Sequence, residues 1–202
     1  LLSVLFAAAF LIFGLFFARP FFATQSTVTE TVEGGSIYLA IVTIGSIGIF
    51  VEILYERLLQ ASGNAFLSMI TQTTGAVLNI ILDPILIFGW FGLPEMGIAG
   101  AALATVIGQW VAALLAIFLN QKFNKALDLH RHHILPDSYV IRMIMNVGIP
   151  SIIMVGIGSV MNFGINKILQ GFSETATGVF SIYFKLQSFF FMPLFGINNA
   201  VI

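Results

Sequence analysis

The stretch Leu78–Gly89, LNIILDPILIFG, sets an aspartate and a proline side by side in an otherwise apolar run. Asp83 has Asn79 four residues before it and Gln72 eleven before it. At about 100° per residue these three fall on one stripe of a helix. Pro84 has no N–H, so a helix running through it leaves the Ile80 carbonyl without its usual partner. A carboxylate, an amide and a free carbonyl make the kind of oxygen cluster that hard cations bind, and transporter helices often supply such ligands by breaking locally. An acid in that place can equally carry a proton. A helix-end cap is the plainer reading, but Asp83 lies about six residues, or ~9 Å, inside the end of its segment, too deep for a cap.

Other polar residues lie in apolar surroundings. Thr105 and Gln109 are four apart in GAALATVIGQW, after a start rich in small residues (Gly97, Ala99, Gly100, Ala101, Ala102, Ala104). Such a face lets two helix backbones approach closely, which brings Thr105 toward the Asp83 stripe. Gln72 and Gln109 are expected to line a cavity. Lys185 stands about ten residues past Thr175, or ~15 Å into its segment, too deep for its stem to snorkel to water. It is expected to face a polar cavity or an acid, with Gln187 and Ser188 nearby. Glu56 and Arg57 read as an interfacial ion pair, and Glu52, one turn deeper, is open between a structural and a functional role. Asn162 and Asn166 either hydrogen-bond between helices or line a cavity. Pro84, Pro150 and Pro193 are expected bending points.

Several chemistries find no residues to carry them. The chain has no Cys, which removes disulfides and thiolate metal sites. His130, His132 and His133 lack an acid or thiol to complete a ligand set, so a solvated linker is expected there, with no metal site. There is no HExxH pair, no second buried acid facing Asp83, and no serine with a histidine partner in an apolar segment. No catalytic residue, enzyme activity or cofactor is therefore expected. A net charge of −1 gives no electrostatic case for nucleic acid.

The elements that position these residues must live in a bilayer. Hydrophobic residues make up 58% of the 202 and charged residues 8%, against about 25% charged in a soluble domain. This is the composition of an all-α, polytopic membrane helix bundle; the ~10-residue alternation of a membrane barrel is absent. A crossing needs about 20 apolar residues, and six segments qualify, near 1–18, 36–56, 65–89, 97–119, 143–167 and 176–200. Residues 19–35 read as a polar loop, and 90–96 as a tight turn built on Gly92 and Pro94. Residues 120–142 form the one long polar connection. Arg57, Lys122, Lys125, Arg131 and Arg142 fall on one side of this threading, so the 120–142 loop is expected to be cytoplasmic. It divides the chain into a first bundle, 1–120, a linker, 121–137, and a second part, 138–202. The apolar start at Leu1 and apolar finish at Ile202 read as an excerpt of a longer protein.

These residues resemble a known family. LNIILDPILIFGWFGLPEMGIAGAALATVIGQ looks like the fifth and sixth helices of the multidrug and toxic compound extrusion (MATE) transporters. FFARPF resembles the outer end of the third helix, ERLLQASGN the turn after the fourth, VGIPS the seventh, and FKLQSFFFMPLFGINNA the eighth in bacterial members. The resemblance implies helices three to eight of a twelve-helix, two-lobe transporter. It implies export of cationic, lipophilic compounds across the bacterial inner membrane, driven by inward flow of Na⁺ or H⁺. It implies that Asn79 and Asp83 match the amide and acid of a cation site in the N-terminal lobe. The threonine of that site falls on Thr105 or, with a small shift, on Ala101.

The sequence-based expectation is thus a cation-coupled antiporter working by alternating access, monomeric at full length, whose partners are small cationic substrates and the lipid bilayer. A flippase for lipid-linked precursors is the rival transporter, disfavoured because only Lys185 is deeply placed for an anionic headgroup. A channel or purely structural membrane protein is the rival outside transport.

Overall fold

The computed structural model describes residues 2–25, 28–124 and 137–201. Apart from one 3₁₀ turn, Trp90–Gly92, the regular elements among them are α-helices: α1 (Leu2–Gln25), α2 (Thr29–Ile44), α3 (Ile47–Ala61), α4 (Ala65–Phe88), α5 (Gly97–Phe123), α6 (Ser138–Gln170) and α7 (Glu174–Val201). They fall into two compact units, Leu1–Leu135 and Pro136–Ile202. His130, His132 and His133 lie outside the described residues.

Among the described residues, four helices are long and apolar enough to cross a membrane: α1, α4, α5 and α6. The pair α2 and α3 makes a fifth if counted as one span, bent by 53°. α7 occupies the expected 176–200 segment but does not meet that combination over the described residues; Lys185, Gln187 and Ser188 interrupt its apolar run. Large apolar side chains are exposed along every long helix, as on Phe16, Ile80, Leu114, Met154 and Phe189. Such surface suits contact with lipid.

Two expectations change. Residues 19–35 are not a loop, because α1 continues through Pro20 to Gln25 and α2 begins at Thr29. Polarity alone does not end a helix, and hydroxyls here bond back to the backbone, Thr24 to the Phe21 carbonyl at 2.7 Å and Ser36 to that of Glu33 at 2.8 Å. The 36–56 segment is not one straight helix but breaks at Gly45–Ser46. There the Gly45 N–H still reaches the Ile41 carbonyl, while that of Ser46 turns to Thr43. A side chain at Gly45 would meet the Val106 methyls of α5, so close packing requires glycine there. Pro84, Pro150 and Pro193 each lie inside an uninterrupted helix.

The core of the first unit runs along α5, where Ala102, Ala104, Ala112, Ala113 and Ala116 are buried. These small side chains let α2, α3 and α4 all pack on α5. The α4–α5 hairpin is close enough that a Cβ at Gly100 would strike the Leu86 carbonyl, and one at Gly108 would lie 3.0 Å from that of Gly75. Its turn follows from Gly89, which ends α4 in the left-handed conformation (φ 71°). Phe91 shares that conformation at φ 61°, uncommon for a residue with a side chain. At the other end of the hairpin Asn120 donates to the Tyr55 carbonyl at 2.8 Å, fastening α5 to the last turns of α3. In the second unit, α6 starts on Asp137, whose carboxylate accepts from the Tyr139 N–H at 2.8 Å.

Candidate functional site

The close approach of α4 and α5 decides what their polar residues can touch. Asn79 and Asp83 stand one turn apart on α4, and Thr105 faces them from α5. The Asn79 Nδ2 lies 3.4 Å from Asp83 Oδ1 and 3.4 Å from Thr105 Oγ1. Turning the amide over suits its neighbours better: the nitrogen then donates to Asp83 Oδ2 at 3.3 Å and the oxygen accepts from the Thr105 N–H at 3.2 Å. In either orientation the amide bridges the acid to α5. The Thr105 hydroxyl donates to the Ala101 carbonyl at 3.0 Å, which leaves its lone pairs free to accept. Asn79 thus joins the three residues expected to form a cation site, and all three are half-buried.

A cleft of about 350 Å³ opens beside them between α3, α4 and α5. Asn79, Thr105, Gln72 and Gln109 line it, together with Glu52 and Glu56. Asp83 is not in its lining and meets it through Asn79. Gly75 and Gly108 form part of the wall, where their missing side chains let α4 and α5 approach closely. The lining holds two carboxylates and no basic residue, so the cleft attracts cations and repels anions.

Glu56 corrects the sequence reading. It is 3% exposed and does not pair directly with Arg57. Its Oε1 accepts from Gln72 Nε2 at 2.6 Å, Gln60 Nε2 at 2.8 Å and the Ser68 hydroxyl at 3.4 Å. Arg57 connects to it through Gln60, donating to that side chain's Oε1 at 2.7 Å. Buried carboxylates persist where hydrogen bonds replace water, and three donors do so here. Glu52 also belongs to the cleft; the sequence signal for both acids was their four-residue spacing on one helix face. Gln109 lines the same cleft, and its Oε1 is buried with no hydrogen-bond partner among the described residues.

Lys185 lies in the other unit, exposed on α7. A cavity of about 430 Å³ on that helix is lined by Phe184, Gln187, Ser188, Phe191 and Met192, without Lys185. Among the described residues no group of three or more His, Cys, Asp or Glu is placed to hold a metal ion.

Comparison with known proteins agrees with this architecture. Residues 1–85 match the MatE family model. The multidrug export protein MepA of Staphylococcus haemolyticus is 30% identical over 173 residues, 86% of this chain and 37% of that protein. The "Probable multidrug resistance protein NorM" of Thermotoga maritima is 32% identical over 167 residues, 81% of this chain and 35% of that protein. The chain therefore spans little more than a third of the length of these relatives. The solved structure of the MATE multidrug transporter DinF-BH aligns with a TM-score of 0.85 at 28% identity, covering 97% of this chain and 43% of that one. An inward-facing MATE family transporter of the MOP superfamily shares the fold, with a TM-score of 0.82 at 23% identity over 96% of this chain and 44% of its own. With its helical fold and its multiple apolar spans, the chain matches the MatE family over residues 1–85 and is similar to a MATE multidrug transporter over nearly all of its length.

Proposed function

We propose that this chain forms part of a cation-coupled antiporter that exports cationic, lipophilic compounds across the bacterial inner membrane. Asp83, Asn79 and Thr105 hold the coupling Na⁺ or H⁺. The observation that carries this reading is the Asp83–Asn79–Thr105 contact beside a cleft lined by two acids and no basic residue. The names of MepA and NorM, a multidrug export protein and a probable multidrug resistance protein, support drug export in general. Alternating access follows if the coupling cation and the substrate favour different states of one conformational equilibrium. The complete transporter then works as a monomer, with the 120–142 connection in the cytoplasm.

The test is dye efflux by the complete transporter in proteoliposomes under an imposed Na⁺ or H⁺ gradient. Asp83→Asn should lower gradient-driven efflux at least tenfold while the protein still inserts. Wild-type efflux by Asp83→Asn would sink the assignment of the coupling site.

A further inference from the structure

Glu52 is the titratable group of the cleft that no contact explains. It sits on α3 one turn before Glu56 and is half-buried in an apolar helix. Glu56 is satisfied by Gln60, Ser68 and Gln72. Glu52 has no hydrogen bond or ion pair among the described residues. Its carboxylate lies opposite Gly75 of α4, with Oε1 3.9 Å from where a Cβ of that glycine would stand.

Everything facing Glu52 across the cleft is neutral or acidic. α3 itself contributes Glu56; α4 contributes Gln72 and Asn79, with Asp83 behind the latter; α5 contributes Thr105 and Gln109. Two carboxylates one turn apart repel when both are ionised, and an uncompensated charge in apolar surroundings is costly. The Glu56 carboxylate has three donors. Glu52 has none, so the relief available to it is a proton. A metal ion fits less well, because Glu56 Oε1 is already occupied by those donors and, among the described residues, no group of three acids is placed to hold one.

We propose that Glu52 is a second proton acceptor, linked by the cleft to the Asn79–Thr105 end, so that a proton moving between Asp83 and the α3 side of the bundle rests on the Glu52 carboxylate. The step is protonation and release of one carboxylate, with no bond change elsewhere. It rests on Asp83 being the coupling site, and Asp83 meets the cleft that Glu52 lines through Asn79.

Two measurements on the complete transporter test it. Dicyclohexylcarbodiimide reacts with protonated carboxyls in apolar surroundings, so peptide mass spectrometry should find it on Glu52 and not on Glu56. Glu52→Gln should flatten the pH profile of dye efflux, and Glu52→Asp should restore its shape even at a lower rate. The labelling uses the unmutated protein, so a misfolded variant leaves that arm intact. The inference is overturned by an unlabelled Glu52, by labelling that millimolar Na⁺ blocks at constant pH (a metal-ion site instead), or by a Glu52→Gln pH profile superimposable on the parent's. If those results arise while Asp83→Asn still abolishes coupling, the Asp83 assignment stands without Glu52. If Asp83→Asn transports normally, the coupling site itself falls.

Discussion

Gln72 donates to Glu56 across 2.6 Å, joining α4 to α3 between residues sixteen apart in sequence. The contact fixes a buried carboxylate at one end of the cleft and ties two helices through a polar group in apolar surroundings. Removing the acceptor takes that partner from Gln72, while Gln60 keeps the Ser68 hydroxyl at 2.8 Å; a stranded buried group costs about 1–3 kcal/mol. Glu56→Ala should lower the melting temperature of the detergent-purified protein. Glu56→Gln keeps an acceptor oxygen and should lower it less.

The bridge made by Asn79 predicts a graded series at the other end. Asn79→Ala removes the amide that touches both Asp83 and Thr105, worth about 1.4 kcal/mol, or tenfold in apparent affinity. The concentration of coupling cation giving half-maximal efflux should rise by about that factor. Thr105→Ser should stay near the parent value, and Thr105→Ala should fall between the two.

Close packing of α4 on α5 predicts where side chains cannot be added. Gly100→Ala drives a methyl into the Leu86 carbonyl, and overpacking of this kind costs about 1–3 kcal/mol. Gly148→Ala on α6 meets nothing within 4 Å and should melt with the parent. Parallel thermal denaturation of the two variants compares them directly.

Phe91 offers a stabilising change. Its left-handed backbone carries strain of about 1 kcal/mol that glycine avoids, and its side chain is 89% exposed, with little packing to lose. Phe91→Gly should raise the melting temperature modestly.

The polar residues of α4 and α5 were legible because helical periodicity alone puts Asn79 and Asp83 on one face, and a run of small residues signals a close partner. Glu56 was not legible. Its neighbour Arg57 satisfies a local ion-pair reading, whereas its actual donor, Gln72, arrives from across a turn. The break at Gly45–Ser46 escaped for a related reason. TIGSIG contains no proline, and the glycine is required by Val106 of α5, a contact from far along the chain that no local pattern encodes. The polar stretch after Arg19 misled in the opposite sense, since Thr24 bonds back to the helix it was expected to end.

That break has a mechanical consequence. A straight crossing is a lever: tilt one end and the other must follow. With two axes meeting at 53°, this crossing is a crank. Only its α3 arm borders the cleft and is fastened to α4 through Glu56, while the Ser46 hydroxyl reaches the Ala7 carbonyl of α1 at 3.4 Å beside the elbow. Rotation of one arm about its own axis becomes a sideways sweep of the other. Glu52, in the second turn of α3, rides close to the pivot, where small angular changes move it least and leave its distance to Gly75 best preserved.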